Sequence, residues 1–149
     1  MRLDELRGAR LCLDTNVWAY AHESTSTWGV TSRALIQAAQ QGELKLVTSA
    51  WSLAEVLVAP IRNRDRAAQK YFRATIANSP WLVVRALDEE VLVEAARLTA
   101  LHPVTLPDAI HAATSKACNC KYLVSNDAAL CRALGPAALR LDALGIEAG

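Results

Sequence analysis

The stretch Leu11–Asn16 reads Leu-Cys-Leu-Asp-Thr-Asn and places an acid at the end of a short apolar run. A run of this kind is typical of a buried strand, and we predict a strand from about Arg10 to Asp14. Asp14 would then lie where the chain leaves the sheet. The side chains of Thr15 and Asn16, which follow it, can hydrogen-bond a carboxylate or the adjacent turn. An acid in this setting is hard to explain as ordinary surface charge.

The rest of the chain continues to alternate short apolar runs with longer helical stretches. This alternation is typical of βαβ units, so we predict an α/β fold around a mainly parallel sheet. Further strands are predicted over Leu44–Val47, Trp81–Leu87 and Lys121–Ser125, with Ala138–Leu144 as a last, edge strand. Helices are predicted over Thr31–Gln41, Ser49–Ala59, Arg62–Asn78, Asp88–Leu101, Pro107–Ala117 and Asp127–Leu134. Pro60 should stop or kink the second helix, and the apolar run Trp81–Leu87 predicts a strand buried on both faces.

Three more acids occupy positions comparable to that of Asp14. Glu55 and Asp108 are predicted in the first turns of helices, and Asp127 comes just after the strand that ends at Ser125. In an open α/β sheet such positions gather at one edge, which is the usual place for a ligand site. Carboxylates brought together repel one another and need a cation or a shifted protonation state. The pattern therefore predicts a divalent-metal site.

Three of these four acids, taken singly, also have a purely structural explanation. Ser52 with Glu55 and Thr105 with Asp108 match the capping box, in which the acid reaches back to the amide of the cap. Asp127 can be an N-cap or a first-turn acid favoured by the helix dipole. Both explanations stay open at this point, because the sequence alone does not show whether the four side chains converge.

Length and composition bound the class of protein. The chain has 149 residues, of which 52% are hydrophobic, enough to bury the core of one domain over residues 1–149. Its longest stretch without Asp, Glu, Lys or Arg is Ala74–Val84, too short for a membrane-spanning helix, and its first residues lack the layout of a signal peptide. We therefore expect a soluble, cytoplasmic protein without a membrane partner. The net charge of +1 neither favours nor excludes nucleic acid.

Positive charge is concentrated in one predicted helix even though the total is near zero. Arg62, Arg66, Lys70 and Arg73 follow helical spacing and would span an arc of about 80°. Such a stripe can bind the phosphates of RNA beside an acidic cleft. It can equally be a solvated helix face, with Asp65 as a partial partner.

His111 and several aromatic residues lie close to these acids in the sequence. His111 follows Asp108 by three residues and so shares one side of the predicted helix. It can contact the acids or the substrate, or it can only pack between helices. Trp18, Tyr20 and Trp28 follow the first strand, where we expect burial in the domain or in an interface, with base stacking as the alternative.

Four segments together resemble the PIN domain, most closely its VapC toxin subgroup. They are Leu13–Val17 (Leu-Asp-Thr-Asn-Val), Ser52–Val56 (Ser-Leu-Ala-Glu-Val), Asp108–Thr114 (Asp-Ala-Ile-His-Ala-Ala-Thr) and Leu123–Asp127 (Leu-Val-Ser-Asn-Asp). The resemblance covers nearly the whole chain, with the segments in the right order and at the right separations. It implies a three-layer α/β/α sandwich and an endoribonuclease that depends on Mg²⁺ or Mn²⁺. It also implies a toxin that usually forms a homodimer and is silenced by a small antitoxin protein.

The four acids of the family fall on Asp14, Glu55, Asp108 and Asp127. We expect Asp14 and Asp108 to bind the metal most directly, with Asp127 completing its surroundings. Glu55 is expected to contribute to the metal site and to orient or deprotonate the water that attacks the phosphodiester.

Other residues of these segments are expected to hold the carboxylates in place or to affect the choice of substrate. Thr15, Asn16 and Ser125 are expected to fix the carboxylates by hydrogen bonds. The sequence departs from the common family pattern at Ser125, where Thr is commoner, at Leu130, where an aromatic residue is frequent, and at His111, where many relatives carry an aliphatic or small residue. These departures leave the acids in place and concern substrate choice more than chemistry.

Two other functions fit parts of the sequence. A non-catalytic PIN-fold module that binds RNA or protein would keep the fold and the acids, and parallel assays of cleavage and binding would separate it from a nuclease. A receiver-type phosphorylation switch also gathers acids beside parallel strands, but it requires paired early acids and a Lys after a late strand. Here the early segment offers the single Asp14, and the last clear strand leads to Asp127.

Overall fold

One or two α-helices separate consecutive strands along the chain. The computed structural model describes residues 1–23 and 25–146. The strands are β1 (Arg10–Leu13), β2 (Lys45–Ser49), β3 (Leu82–Arg85), β4 (Tyr122–Ser125) and β5 (Ala138–Arg140). The helices are α1 (Thr15–Glu23), α2 (Thr27–Gln40), α3 (Ala50–Arg62), α4 (Arg66–Ala77), α5 (Glu89–Leu101), α6 (Leu106–Ala117) and α7 (Ala128–Leu134).

Among the described residues, these strands form one parallel sheet in the order β3-β2-β1-β4-β5. The chain builds outward from β1 to β3 and then crosses to β4 on the other side of β1. Such a reversal is a topological switch point, where a crevice forms at the carboxyl ends of the two strands. Asp14 directly follows β1 and Ser125 ends β4, so both residues lie at this crevice.

Helices cover both faces of the sheet. Leu11 and Leu13 of β1 belong to a core that includes residues of α1, α2 and α4, whereas Cys12 between them packs with residues of α6 and α7. All three side chains are fully buried. Because successive side chains of a strand point to opposite faces, burial at every position requires a layer of helices on each side. The α/β class and the three-layer α/β/α arrangement are therefore confirmed.

Side-chain caps decide where the helices around the crevice begin. Ser49 caps α3 by accepting a hydrogen bond from a backbone amide, so the predicted capping box of Ser52 with Glu55 is wrong. Asp127 caps α7 by accepting a hydrogen bond from the amide of Leu130, which confirms its structural role. That bond uses one carboxylate oxygen of Asp127 and leaves the other for the crevice.

Two predicted helices differ from the observed ones around Pro60. α3 continues through the buried Pro60 to Arg62, instead of stopping before it. α4 begins only at Arg66, so the single helix predicted over Arg62–Asn78 is wrong at its start. Arg64 between them has a φ of 54°, a left-handed turn that separates the two helices.

α1 is absent from the predicted elements, and α2 begins earlier than the helix predicted over Thr31–Gln41. The residues of α1 include β-branched and aromatic side chains with modest helix propensity, so packing rather than propensity forms this helix. Its Val17, Trp18 and Ala21 are buried in the core. No described helix is long and apolar enough to cross a membrane.

The two edge strands are shorter than predicted, and β3 is not buried on both faces. Val83 and Val84 of β3 are 57% and 38% exposed, and β3 lies at the edge of the sheet. Trp81 comes just before β3 and packs against Trp18, with ring centroids 6.3 Å apart. β5 is the predicted edge strand, but it ends at Arg140.

Candidate active site

Asp14 lies deepest among the predicted acids, with 4% of its surface exposed. Its Oδ1 accepts a hydrogen bond from the backbone amide of Thr15 at 2.7 Å, and its Oδ2 accepts one from the hydroxyl of Ser125 at 2.7 Å. A buried carboxylate needs such donors in place of water. Thr15 and Ser125 therefore lie where the sequence predicts, each holding one oxygen of Asp14.

Ser125 also links Asp14 to Asp127. Its hydroxyl accepts a hydrogen bond from the backbone amide of Asp127 at 3.0 Å while donating to Asp14. The Asp127 side chain caps α7 through Oδ1, at 2.9 Å from the amide of Leu130. The end of β4 and the start of α7 thus keep these two acids at the same part of the crevice.

Asp108 joins this pair from the first turn of α6. Thr105 caps the helix by accepting a hydrogen bond from the Asp108 amide at 3.4 Å. Partial burial raises the pKa of Asp108 above its ordinary value of 3.8, and the nearby carboxylates of Asp14 and Asp127 raise it further. Like charges have this effect only at short range. Asp14, Asp108 and Asp127 therefore interact electrostatically, and these three residues are called the acidic group below.

Glu55 reaches the acidic group from α3. It lies in the second turn of that helix rather than the first, because Ser49 and not Ser52 is the cap. Its Oε1 accepts hydrogen bonds from the hydroxyl of Thr15 at 2.6 Å and from the ring of His111 at 2.8 Å. Partial burial alone would raise the pKa of Glu55, but these hydrogen bonds outweigh it and lower the pKa below 4.5. Glu55 is therefore ionised at neutral pH.

His111 joins Glu55 to Asp14, a role that the sequence left open. The side chain is 1% exposed, and its Nε2 lies 2.8 Å from Oε1 of Glu55 and 3.6 Å from Oδ1 of Asp14. Because an ionised carboxylate can only accept hydrogen bonds, Nε2 carries a hydrogen. Nδ1 is buried without a hydrogen-bond partner among the described residues. The three-residue spacing from Asp108 indicated the correct helix side but not this contact.

A chain of hydroxyl groups anchors Thr15 to the core. Its Oγ1 lies 3.3 Å from Oγ of Ser52, which lies 3.0 Å from Oγ1 of Thr48. Thr48 donates to the backbone oxygen of Leu13 at 3.1 Å and accepts from Nε1 of Trp18 at 3.1 Å. Thr48, Ser52 and Trp18 are buried, so the site rests on a polar network held by the core. Sequence reasoning missed this support.

The other predicted site residues have no hydrogen bond or ion pair with the acidic group among the described residues. Asn16 is exposed and has no side-chain hydrogen bond within the described residues. Arg66, Lys70 and Arg73 line a shallow pocket on the exposed side of α4. Arg62 belongs to the end of α3, so its prediction as part of the same helix is wrong.

The acidic group has the chemistry of a divalent cation site. Asp14, Asp108 and Asp127 offer carboxylate oxygens, which are the ligands that hard cations prefer. Burial, and after it the charges of Asp14 and Asp127, already raise the pKa of Asp108. Over residues 1–23 and 25–146, no three His, Cys, Asp or Glu side chains form a group that could hold an ion as they lie. The carboxylate oxygens are therefore ligands of the type that Mg²⁺ or Mn²⁺ binds, but among the described residues they are not spaced to coordinate an ion.

A family model of the PIN domain matches residues 11–134 of the sequence. The chain belongs to the PIN domain family. The matched region begins before Asp14 and ends after Asp127, so it includes all four acids of the predicted site. No curated protein matches this PIN domain in sequence.

Several solved structures share the fold of this PIN domain. VapC20 of Mycobacterium tuberculosis, a toxin that cleaves the sarcin–ricin loop, has a TM-score of 0.69 at 17% identity, over 83% of this chain and 94% of its own. FitAcB of Neisseria gonorrhoeae has a TM-score of 0.67 at 18% identity, over 88% and 97%. VapBC2 of Rickettsia felis, bound to a promoter DNA fragment, has a TM-score of 0.64 at 16% identity. The match covers 88% of this chain and 98% of the chain of that structure. At these identities the likeness shows the fold alone.

Proposed function

We propose that this PIN domain is a metal-dependent endoribonuclease that hydrolyses RNA phosphodiester bonds. The observation that carries the proposal is the acidic group at the switch point, with Glu55 attached to it through His111. Hydrolysis of a phosphodiester needs neutralised charge on the phosphate and an oriented water. The fold shared with VapC20, a toxin that cleaves the sarcin–ricin loop, supports RNA as the substrate class.

Asp14, Asp108 and Asp127 are the residues that would hold Mg²⁺ or Mn²⁺. Bound there, the cation would neutralise phosphate oxygens and make a water molecule more acidic. Thr15 and Ser125 each donate to one oxygen of Asp14, so that carboxylate keeps its orientation when substrate enters.

We assign the attacking water to Glu55. Thr15 and His111 both hydrogen-bond to Oε1 of Glu55, which fixes the position of that oxygen. Burial opposes but does not cancel the effect of these bonds, and the pKa of Glu55 stays below its ordinary value. A carboxylate with a lowered pKa is a weak base, so orientation of the water is favoured over removal of its proton.

Replacing His111 by Leu should slow RNA cleavage about ten- to a hundredfold, the usual cost of losing a supporting hydrogen bond at a metal site. Leu occupies a similar volume but has no hydrogen to donate to Oε1 of Glu55. His111→Gln is the matched control, because its amide can donate, and it should keep more activity. Cleavage rates at saturating RNA and thermal melting of both variants check this. Equal rates for His111→Leu and the wild-type chain, both folded, would contradict the assignment.

We assign RNA phosphate contacts to Arg66, Lys70 and Arg73 of α4, with Arg62 at the end of α3 as a neighbouring contact. All four side chains are exposed, and none has an acidic side chain within salt-bridge distance among the described residues. Exposed cations without an acidic partner are available to a polyanion, and the binding they provide weakens as the salt concentration rises.

We further propose that this PIN domain is the toxin of a toxin–antitoxin pair, a homodimer silenced by a small antitoxin, acting on RNA in the cytoplasm. The shared fold of VapC20 and VapBC2 supports this assignment. Val58 and Ile61 on α3 are 52% and 58% exposed and form an apolar surface that a protein partner or a second copy would cover. A neighbouring gene for a small DNA-binding protein would support the pairing.

A non-catalytic RNA- or protein-binding module is the second candidate function. One observation favours it, namely that no described set of side chains is already spaced to hold an ion. Parallel assays of binding and cleavage on the same RNA, with Mg²⁺ or with a chelator, separate the two functions. Cleavage that requires both the cation and Asp14 supports the nuclease, whereas binding without cleavage supports the module.

A further inference from the structure

A cluster of stacked rings lies where α1 meets α4, apart from the acidic group. The imidazole of His22, near the end of α1, stacks on the ring of Tyr71 with centroids 4.4 Å apart and an angle of 25°. Phe72 lies beside both rings, 4.9 Å from His22 and 5.4 Å from Tyr71, and is 2% exposed. The buried Phe72 thus supports the two more exposed rings from the core.

His22 and Tyr71 remain accessible to a ligand. His22 is exposed, and Tyr71 is 37% exposed. Rings that are already stacked and supported from below lose little freedom when a further flat group packs on them. An unpaired nucleic-acid base is such a group, and every base has a face that can stack.

Exposed cations lie on the same helix as Tyr71. Lys70 precedes Tyr71, and Arg66 lies one helical turn earlier on the side of α4 that carries Lys70 and Arg73. All three cations are exposed, and none has an acidic side chain within salt-bridge distance in the described part of the chain. A surface that combines free cations with accessible rings matches a phosphate backbone with exposed bases.

α1 connects this surface to the acidic group at a fixed distance. The helix begins at Thr15, which hydrogen-bonds both Asp14 and Glu55, and reaches His22 seven residues later. At about 1.5 Å per residue the two ends are roughly 10 Å apart along the helix axis. One strand of RNA that lies over the acidic group can therefore also reach the rings.

We propose that His22, Tyr71, Arg66, Lys70 and Arg73 form a binding subsite for single-stranded RNA, here called the α4 subsite. A base of the substrate stacks on the His22–Tyr71 pair while neighbouring phosphates contact the cations. The inference rests on the proposed function, since it names the form of RNA that the acidic group would receive. Paired bases in an RNA duplex are already stacked and cannot extend this ring stack, so the subsite selects unpaired segments.

The test measures binding of a short, labelled oligouridylate to the full chain carrying Asp14→Asn, over a range of salt concentrations. Tyr71→Ala should weaken binding roughly tenfold, the usual cost of removing a stacking ring, without changing the dependence of log Kd on log salt. Lys70→Ala should weaken binding and reduce that slope by about 0.7, because one phosphate contact is lost. Tyr71→Phe keeps the ring and should bind like the parent.

Lys45→Ala is the matched control for charge, because Lys45 is exposed at the opposite, amino end of β2. It should change neither the affinity nor the slope. Thermal melting of each variant shows whether the fold is retained, and His22→Ala repeats the test from the other ring if Tyr71→Ala unfolds. The α4 subsite is overturned if a folded Tyr71→Ala variant binds the oligouridylate with unchanged affinity. It is also overturned if the parent chain binds duplex RNA as tightly as single-stranded RNA.

The outcome is separable from that of the proposed nuclease. If the wild-type chain with Mg²⁺ cleaves RNA but Tyr71→Ala binds normally, the nuclease stands and the α4 subsite falls. If Tyr71→Ala binds weakly but the wild-type chain never cleaves, the subsite stands as a binding surface and the nuclease falls. A protein partner on this surface would leave RNA binding unchanged in both Tyr71→Ala and Lys70→Ala, which also overturns the proposal.

Discussion

Replacing Asp14 by Asn should reduce metal-dependent RNA cleavage at least about a hundredfold, since even supporting residues of metal sites cost up to that much. Asp14 is the acid that the fold holds most firmly, with one oxygen bonded to the Thr15 amide and the other to the Ser125 hydroxyl. It also shares the acidic group with Asp108, whose pKa is raised first by burial and then by the Asp14 charge. An amide would keep the size of the side chain but remove its charge, so the group would lose a cation ligand.

The matched control for this change is Asp4→Asn, the same substitution at an exposed acid that pairs with Arg2. It should cleave like the wild-type chain. Rates are measured on single-stranded RNA with Mg²⁺, with Mn²⁺ and with a chelator, using preparations free of other nucleases. Undiminished cleavage by Asp14→Asn would show that the acidic group is not the active site.

Replacing Asp108 by Asn should have opposite effects on stability with and without a divalent cation. Without the cation, the variant should melt roughly 1–3 °C above the wild-type chain at neutral pH. The ionised Asp108 side chain is repelled by its neighbours but partly exposed, so its charge lowers the free energy of unfolding by less than about 1 kcal/mol. With the cation at about a hundred times its Kd, the wild-type chain should gain about 2.7 kcal/mol, or roughly 5–10 °C, and the variant should gain little. Thermal melting over a Mg²⁺ titration measures both effects.

The gain from Asp108→Asn should also depend on pH. Burial and then the charges of Asp14 and Asp127 raise the pKa of Asp108 in the folded chain above 3.8. Above the raised pKa the ionised side chain lowers stability, and this cost is relieved as the pH falls through the raised pKa. The advantage of the variant should therefore be full at neutral pH and absent below about pH 3.8. If the variant without cation is less stable than the wild-type chain at neutral pH, Asp108 is not destabilised by its neighbours. If Mg²⁺ stabilises both proteins equally, Asp108 does not bind the cation.

The placement of the acids could be predicted because it follows from the geometry of parallel strands. Asp14 follows β1 and Asp127 follows β4, and adjacent parallel strands end at the same edge. Asp108 could be placed by Pro107 at the start of α6, a favoured first-turn position. These are local patterns with a fixed consequence in three dimensions.

The contacts that complete the site could not be predicted, because they depend on how closely the helices pack on the sheet and not on the spacing of residues in the sequence. His111 reaches Glu55 only because α6 packs closely over β1, where the Cys12 thiol contacts the backbone oxygen of His111 at 3.9 Å. Ser52 looks like a helix cap in the sequence, yet it lies in the hydroxyl chain between Thr15 and Thr48. Similarly, β3 has the composition of a central strand but lies at the edge of the sheet.

Anomalous scattering from crystals grown with Mn²⁺ shows whether the acidic group binds a divalent cation. We expect a peak within ligand distance of the carboxylates of Asp14, Asp108 and Asp127, and no such peak in crystals of Asp14→Asn. If well-ordered crystals in saturating Mn²⁺ show no peak at the acidic group, or show the peak only at an unrelated surface, the acidic group is not a cation site.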